Sequence, residues 1–204
     1  MNTPVDATPR SPGDAPVSTW VNVWGSIRLA AAGVGIAAVV AQLMRSLEIA
    51  EASTTPHGSH VPTSVANFFS FFTVQANIAA ALALIIGGVW LLTKGRRTAV
   101  EPAWLAVVLG CVATYMIVTG IVYNLLLRGV ELPQGATVPW SNEVLHVVIP
   151  VVLLLDLLVS PRRRRLAWSA LGIIVIYPIA WLVYTLVRAP IVVAPPTGQN
   201  FCYP

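Results

Sequence analysis

The sequence predicts an all-α, polytopic bundle of transmembrane helices, with five spans in this chain and a sixth expected past its last residue. Three observations carry that expectation. Asp, Glu, Lys and Arg make up 10% of the 204 residues while 56% are hydrophobic, against roughly 25% charged in ordinary soluble domains. Apolar runs close to the ~20 residues that cross a hydrocarbon core as a helix recur five times. The basic residues gather on alternate connections between those runs. With a mean hydropathy of +0.76, these facts exclude a soluble enzyme, a disordered chain and a nucleic-acid partner, although the net charge is +4 and the pI about 9.5.

The elements follow in order. Residues 1–19 contain Pro4, Pro9, Pro12 and Pro16 among Ser, Thr, Asp and Gly, and read as a disordered tail. The first span runs from about Trp20 to Met44. It is too long for a signal peptide, carries Arg28 inside, and is followed by no clean cleavage site. The second runs from about Phe68 to Leu92, within a stretch from Glu51 to Lys94 that is free of charge between those residues. The third covers about Ala103 to Leu127. The fourth, about Val144 to Ser160, contains His146 and Asp156, and the fifth covers about Leu166 to Val187. Barrel strands would be shorter and would alternate in polarity, which these runs do not. Residues 189–204 form a second proline-rich tail. Cys111 and Cys202 match no metal or redox spacing.

Basic residues mark cytoplasmic loops. Lys94, Arg96 and Arg97 follow the second span, and Arg162, Arg163, Arg164 and Arg165 follow the fourth. In the other loops Arg45 is offset by Glu48 and Glu51, and Arg128 by Glu131 and Glu143. One topology satisfies them all: a cell-membrane protein with a cytoplasmic N-terminus and with the first loop, third loop and C-terminal tail external. The Arg162–Arg165 run reads as a topology anchor, with an anionic-lipid site as the alternative.

Polar residues inside spans are costly and are the best pointers to function. Asn67, Ser70, Thr73 and Asn77 recur at helical spacing, as do Asn142, His146 and the deeper Asp156. The third span carries Tyr115, Thr119 and Tyr123, and the fifth carries Tyr177, Trp181, Tyr184 and Arg188. With a rise of about 1.5 Å per residue, Thr73, His146, Tyr123, Asn124, Tyr184 and Arg188 all fall in the outer half of the bilayer. A hydroxyl becomes a nucleophile when a base takes its proton, and histidine is the usual base. Thr73 and His146 are therefore the candidate catalytic pair, and Asn77, Asn142 and Tyr123 the candidate substrate or oxyanion contacts. The bland alternatives are a Thr73 hydroxyl bonded to the Phe69 carbonyl, an interfacial or packing histidine, and an Asp156 that partners another helix's polar group. An aromatic belt with packing explains the fifth span's stripe. His57 and His60 with His146 lack a fourth ligand of clear geometry, so no metal and no cofactor is expected.

Three segments carry a family resemblance. They are Asn67-Phe-Phe-Ser-Phe-Phe-Thr73-Val-Gln-Ala-Asn77, Asn142-Glu-Val-Leu-His146-Val-Val-Ile-Pro150 followed by Asp156, and the terminal Cys202-Tyr203-Pro204. In order and placement they resemble the bacterial branch of the androgen-induced membrane protein superfamily, whose members have six helices and a Tyr-Pro motif before the sixth. Animal members are threonine hydrolases that cleave esters of fatty acids with hydroxy fatty acids. The resemblance implies Thr73 as nucleophile, with Ser70 the other hydroxyl the motif's phase allows, His146 as general base, and a lipid or fatty-acid ester as substrate. It also implies a further span beyond Pro204. The competing reading is a non-catalytic membrane protein, either a small proton-coupled transporter using Asp156 or a lipid-binding scaffold.

Overall fold

The computed structural model describes residues 18–130 and 136–193. Most of the two tails expected at residues 1–19 and 189–204, and the Cys202-Tyr203-Pro204 motif, lie outside the described residues. The helices are α1 (Thr19–Ala52), α2 (Val61–Ser70), α3 (Phe72–Leu92), α4 (Ala103–Leu127), α5 (Pro139–Val159) and α6 (Ala170–Arg188). All but α2 are long and apolar enough to cross a membrane, so the chain is a multi-pass membrane protein. One end of the bundle carries Lys94 and the Arg162–Arg165 run and is called the basic end below; the other is the far end.

Helices α1, α3, α4 and α5 pack each on the next, and α5 closes back on α1. The core between them holds Leu84, Leu91, Leu105, Leu109, Met116, Ile149 and Leu153. Lipid tails are as apolar as leucine, so association in a bilayer depends on close packing rather than on escape from water. The α1–α3 seam fits that demand. Ala31, Ala32 and Ala38 on α1 and Ala76, Ala80, Ala83 and Gly87 on α3 are buried. A Cβ on Gly88 would lie 3.0 Å from the backbone oxygen of Gly25, so these glycines allow the two backbones to meet. Outward faces are carpeted with exposed Leu, Ile and Val, most densely on α6, which packs mainly on the outside of α4.

Four boundaries differ from the expectation. Helix α1 continues to Ala52, a length of about 51 Å at helical rise. Helix α5 begins at Pro139 rather than Val144, with proline in the first turn, where its missing N–H is harmless. Helix α6 begins at Ala170 rather than Leu166.

The fourth difference is a break in the second span. Phe71 is extended (φ −64°, ψ 129°), so Asn67 and Ser70 sit on α2 and Thr73 and Asn77 on α3. The helical spacing expected to run through all four residues is interrupted at Phe71. Backbone groups released within a bilayer need new partners, and the break supplies them. Gln75 Nε2 donates to the Phe69 carbonyl (2.7 Å) and Trp181 Nε1 to that of Ser70 (2.9 Å). Thr73 does not bond the Phe69 carbonyl, which Gln75 has taken.

Two prolines inside spans pose the same problem, since each removes the hydrogen bond to the carbonyl four residues earlier. Pro178 frees that of Ile174, and the Tyr115 hydroxyl of α4 donates to it at 2.8 Å. Pro150 frees that of His146, and Asn124 Nδ2 of α4 donates to it at 3.2 Å. Near Pro150 the helix widens into a π-turn over Val144–Val148, and α4 has its own π-turn over Tyr123–Leu127. Gly120 lets the two helices meet here, because a Cβ on it would lie 2.8 Å from Pro150 Cβ.

Candidate functional site

The paired π-turns of α4 and α5, with the first turns of α5 before them, hold three of the five predicted site residues together. The His146 and Tyr123 rings stack with centroids 4.0 Å apart and 25° between planes. Asn142 Nδ2 donates to the Tyr123 hydroxyl in a short hydrogen bond. His146 Nδ1 lies 3.0 Å from the Asn142 backbone oxygen. A carbonyl can only accept, so Nδ1 carries the proton and Nε2 of the neutral ring is the proton acceptor. Among the described residues Nε2 has no hydrogen-bond partner. His146 lines an apolar groove of about 360 Å³ between α4 and α5, together with Ile117, Ile121, Asn124, Leu125 and Leu154. Exposed Ile121, Leu125 and Leu154 border it, so it opens sideways from the bundle.

The other two candidates are placed by α3. Asn77 is 1% exposed and donates Nδ2 to both the Thr73 carbonyl (2.9 Å) and the Leu145 carbonyl (3.3 Å), the residue beside His146. Both of its N–H groups are therefore engaged, and its buried Oδ1 has no partner. Thr73 lies one turn from Asn77 on the same side of α3 and is half-buried. Its hydroxyl makes no hydrogen bond, to His146 or to any other described residue. Ser70 is tied to Tyr184 (2.8 Å) and to the Ala66 carbonyl. His57 and His60 are exposed on the α1–α2 connection, where His60 bonds Thr63.

The fifth span's Tyr177, Trp181, Tyr184 and Arg188 act as a clasp on α2 and α3. Tyr177 donates to Gln75 and Arg188 to Asn67, both by short hydrogen bonds, while Phe72 packs against Tyr115, Tyr177 and Trp181. These side chains fasten α6 to the break at Phe71.

Near the basic end the structure forms a second polar cluster. Arg28 Nε and Nη2 reach Asp156 Oδ1 and Oδ2 at 2.7 and 3.0 Å, with both residues sealed from solvent. Trp24 Nε1 donates to the same carboxylate at 2.5 Å, Arg163 approaches it at 3.7 Å, and Arg28 also reaches Ser160 Oγ at 2.9 Å. A Cβ on Gly87 would lie 2.7 Å from Arg28 Nη1, so glycine makes room for the guanidinium. The sequence allowed Asp156 a polar partner on another helix without naming it, and that partner is Arg28. The signal was present, since Arg28 and Asp156 are opposite charges stranded in two apolar spans.

The fold and these clusters define a class, a multi-pass membrane helix bundle with one histidine set beside a lateral apolar groove. No family model, curated protein or solved structure matches the chain.

Proposed function

We propose that the chain is a membrane-embedded hydrolase of lipid esters, with His146 as general base and Thr73 as nucleophile. The observation that carries this reading is the state of His146, with Nδ1–H held by the Asn142 carbonyl and Nε2 unpartnered beside a groove open to lipid. That is the tautomer a general base needs. Nε2 takes the Thr73 hydroxyl proton as Oγ1 attacks the ester carbonyl. The Tyr123 hydroxyl accepts from Asn142 and so keeps its own proton for the developing oxyanion. The imidazolium then protonates the departing alkoxide, and water releases the acyl group from Thr73. Hydroxyl and base need not touch before substrate arrives, because catalytic hydrogen bonds often tighten only in the complex. By the resemblance the protein is bacterial and the substrate is a fatty-acid ester. With a cytoplasmic N-terminus, the groove lies in the outer half of the cell membrane.

The second reading, a non-catalytic lipid-binding protein, is favoured by the missing hydrogen bond between Thr73 and His146. The other non-catalytic reading, a small proton-coupled transporter using Asp156, is disfavoured, because both carboxylate oxygens of Asp156 already accept hydrogen bonds. The test is release of free fatty acid from an ester of a hydroxy fatty acid by purified protein. Thr73→Ala and His146→Ala are each expected to lower kcat at least about a hundredfold, the typical lower bound for general acid–base catalysis. No turnover by the wild type, or unchanged rates in both variants, sinks the reading.

A further inference from the structure

The arginine run after α5 is more ordered than a topology anchor requires. An anchor needs charge alone, and a mobile loop would serve. Here Arg162 holds a left-handed backbone (φ 64°), which is costly for a residue with a Cβ and is kept only where surroundings enforce it. Glu101, fully buried two residues before α4 begins, is what enforces it. Its N–H donates to the Arg162 carbonyl (2.8 Å), its Oε1 accepts from the Arg164 N–H (3.3 Å), and its carbonyl accepts from Arg164 Nε (2.9 Å). Arg163 is turned inward to Asp156. Arg164 and Arg165 are exposed, and among the described residues neither guanidinium has an ion-pair partner.

The shape matches the charge. Arg163, Arg164 and Arg165 rim a hollow of about 290 Å³ whose remaining lining is Leu157 and Leu166. Leu158, the next residue along α5 from Leu157, is 67% exposed, and Trp168, two residues after Leu166, is 88% exposed. Tryptophan favours the headgroup level of a bilayer, and clustered basic residues at the end of a span attract anionic headgroups. We propose that this hollow is a binding site for an anionic phospholipid of the adjacent leaflet. Arg164 and Arg165 engage the headgroup phosphate, and the acyl chains run down over Leu157, Leu158 and Leu166. The apolar floor selects a lipid over a free phosphate ion.

The experiment is native mass spectrometry of the full chain, delipidated in a zwitterionic detergent. It is offered dioleoyl-phosphatidylglycerol, dioleoyl-phosphatidylcholine or inorganic phosphate. The proposal expects a phosphatidylglycerol adduct that phosphatidylcholine does not form and excess phosphate does not displace. Arg165→Gln, which removes no internal contact, should weaken that adduct about fivefold. Arg97→Gln, an exposed cation at the same end of the bundle, should leave it unchanged. Equal binding of the two lipids overturns the proposal, as does displacement by phosphate, an unchanged Arg165→Gln adduct, or equal losses in both variants.

Discussion

The two polar clusters of this bundle are built from similar material and finished differently. Near the basic end, the Asp156 carboxylate meets Arg28, Trp24 and Arg163, and the cluster is sealed between α1 and α5. Toward the far end, His146 has one nitrogen locked and the other left without a partner beside a groove. Buried charge is tolerable only when paired, and although Arg28 Nη1 has no hydrogen-bond partner among the described residues, the charges of Arg28 and Asp156 are paired, so the first cluster is structural. A neutral imidazole can stay half-satisfied at far smaller cost, and this allows it to act on something that arrives from outside.

The largest effect expected from this contrast is at the closed cluster. Asp156→Leu leaves Arg28 buried without its partner and should cost about 3–5 kcal/mol, the range for breaking a buried pair. The double variant Arg28→Met with Asp156→Leu should recover more than half of that. Thermal unfolding in detergent reads both, and a single variant as stable as the wild type would mean the cluster is not closed as described. At the half-open cluster a smaller loss is expected. Asn124→Leu strips the His146 carbonyl of the donor that replaces the one lost to Pro150, at a cost of about 1–3 kcal/mol for an acceptor left unsatisfied where lipid rather than water faces it. Ester turnover should fall with it, because the π-turn carrying the histidine is no longer braced. Full stability together with full activity would show that the brace is idle.

The smallest effect is a pH dependence at the edge of the closed cluster. Burial raises the Glu101 carboxyl above its ordinary value, against the lowering pull of the Arg164 N–H and of Arg28 and Arg163. An acid with a raised native value stabilises the fold fully below its unfolded value, near pH 4.3. That contribution is lost as the pH climbs through the raised native value. Glu101→Gln should flatten this slope in a melting series from acid to neutral pH. A slope unchanged by the substitution would assign it to another group.

The spans were readable because a bilayer forbids unpaired charge, so runs such as Phe72–Leu92 stand out by what they lack. The break at Phe71 was not readable. No proline or glycine marks it, and its released carbonyls are repaired by Gln75 and by Trp181, more than a hundred residues further on. Pro150 and Pro178 were visible, but the residues that compensate them, Asn124 and Tyr115, are chosen by packing on α4. Spacing placed Asn142 and His146 on one turn and depth brought Tyr123 to their level, and the three do meet. Depth alone says nothing of rotation about a helix axis, which is why it could neither bring Arg28 to Asp156 nor decide whether the Thr73 hydroxyl faces His146.

That last relation is the centre of the functional proposal, and covalent labelling tests it most directly. The purified protein is treated with a long-chain fluorophosphonate, which phosphonylates an activated hydroxyl, and the modified peptide is mapped. The proposal predicts a single adduct on Thr73 that disappears in His146→Ala. An adduct on Ser70 or elsewhere, labelling that survives loss of His146, or no adduct at all would contradict it.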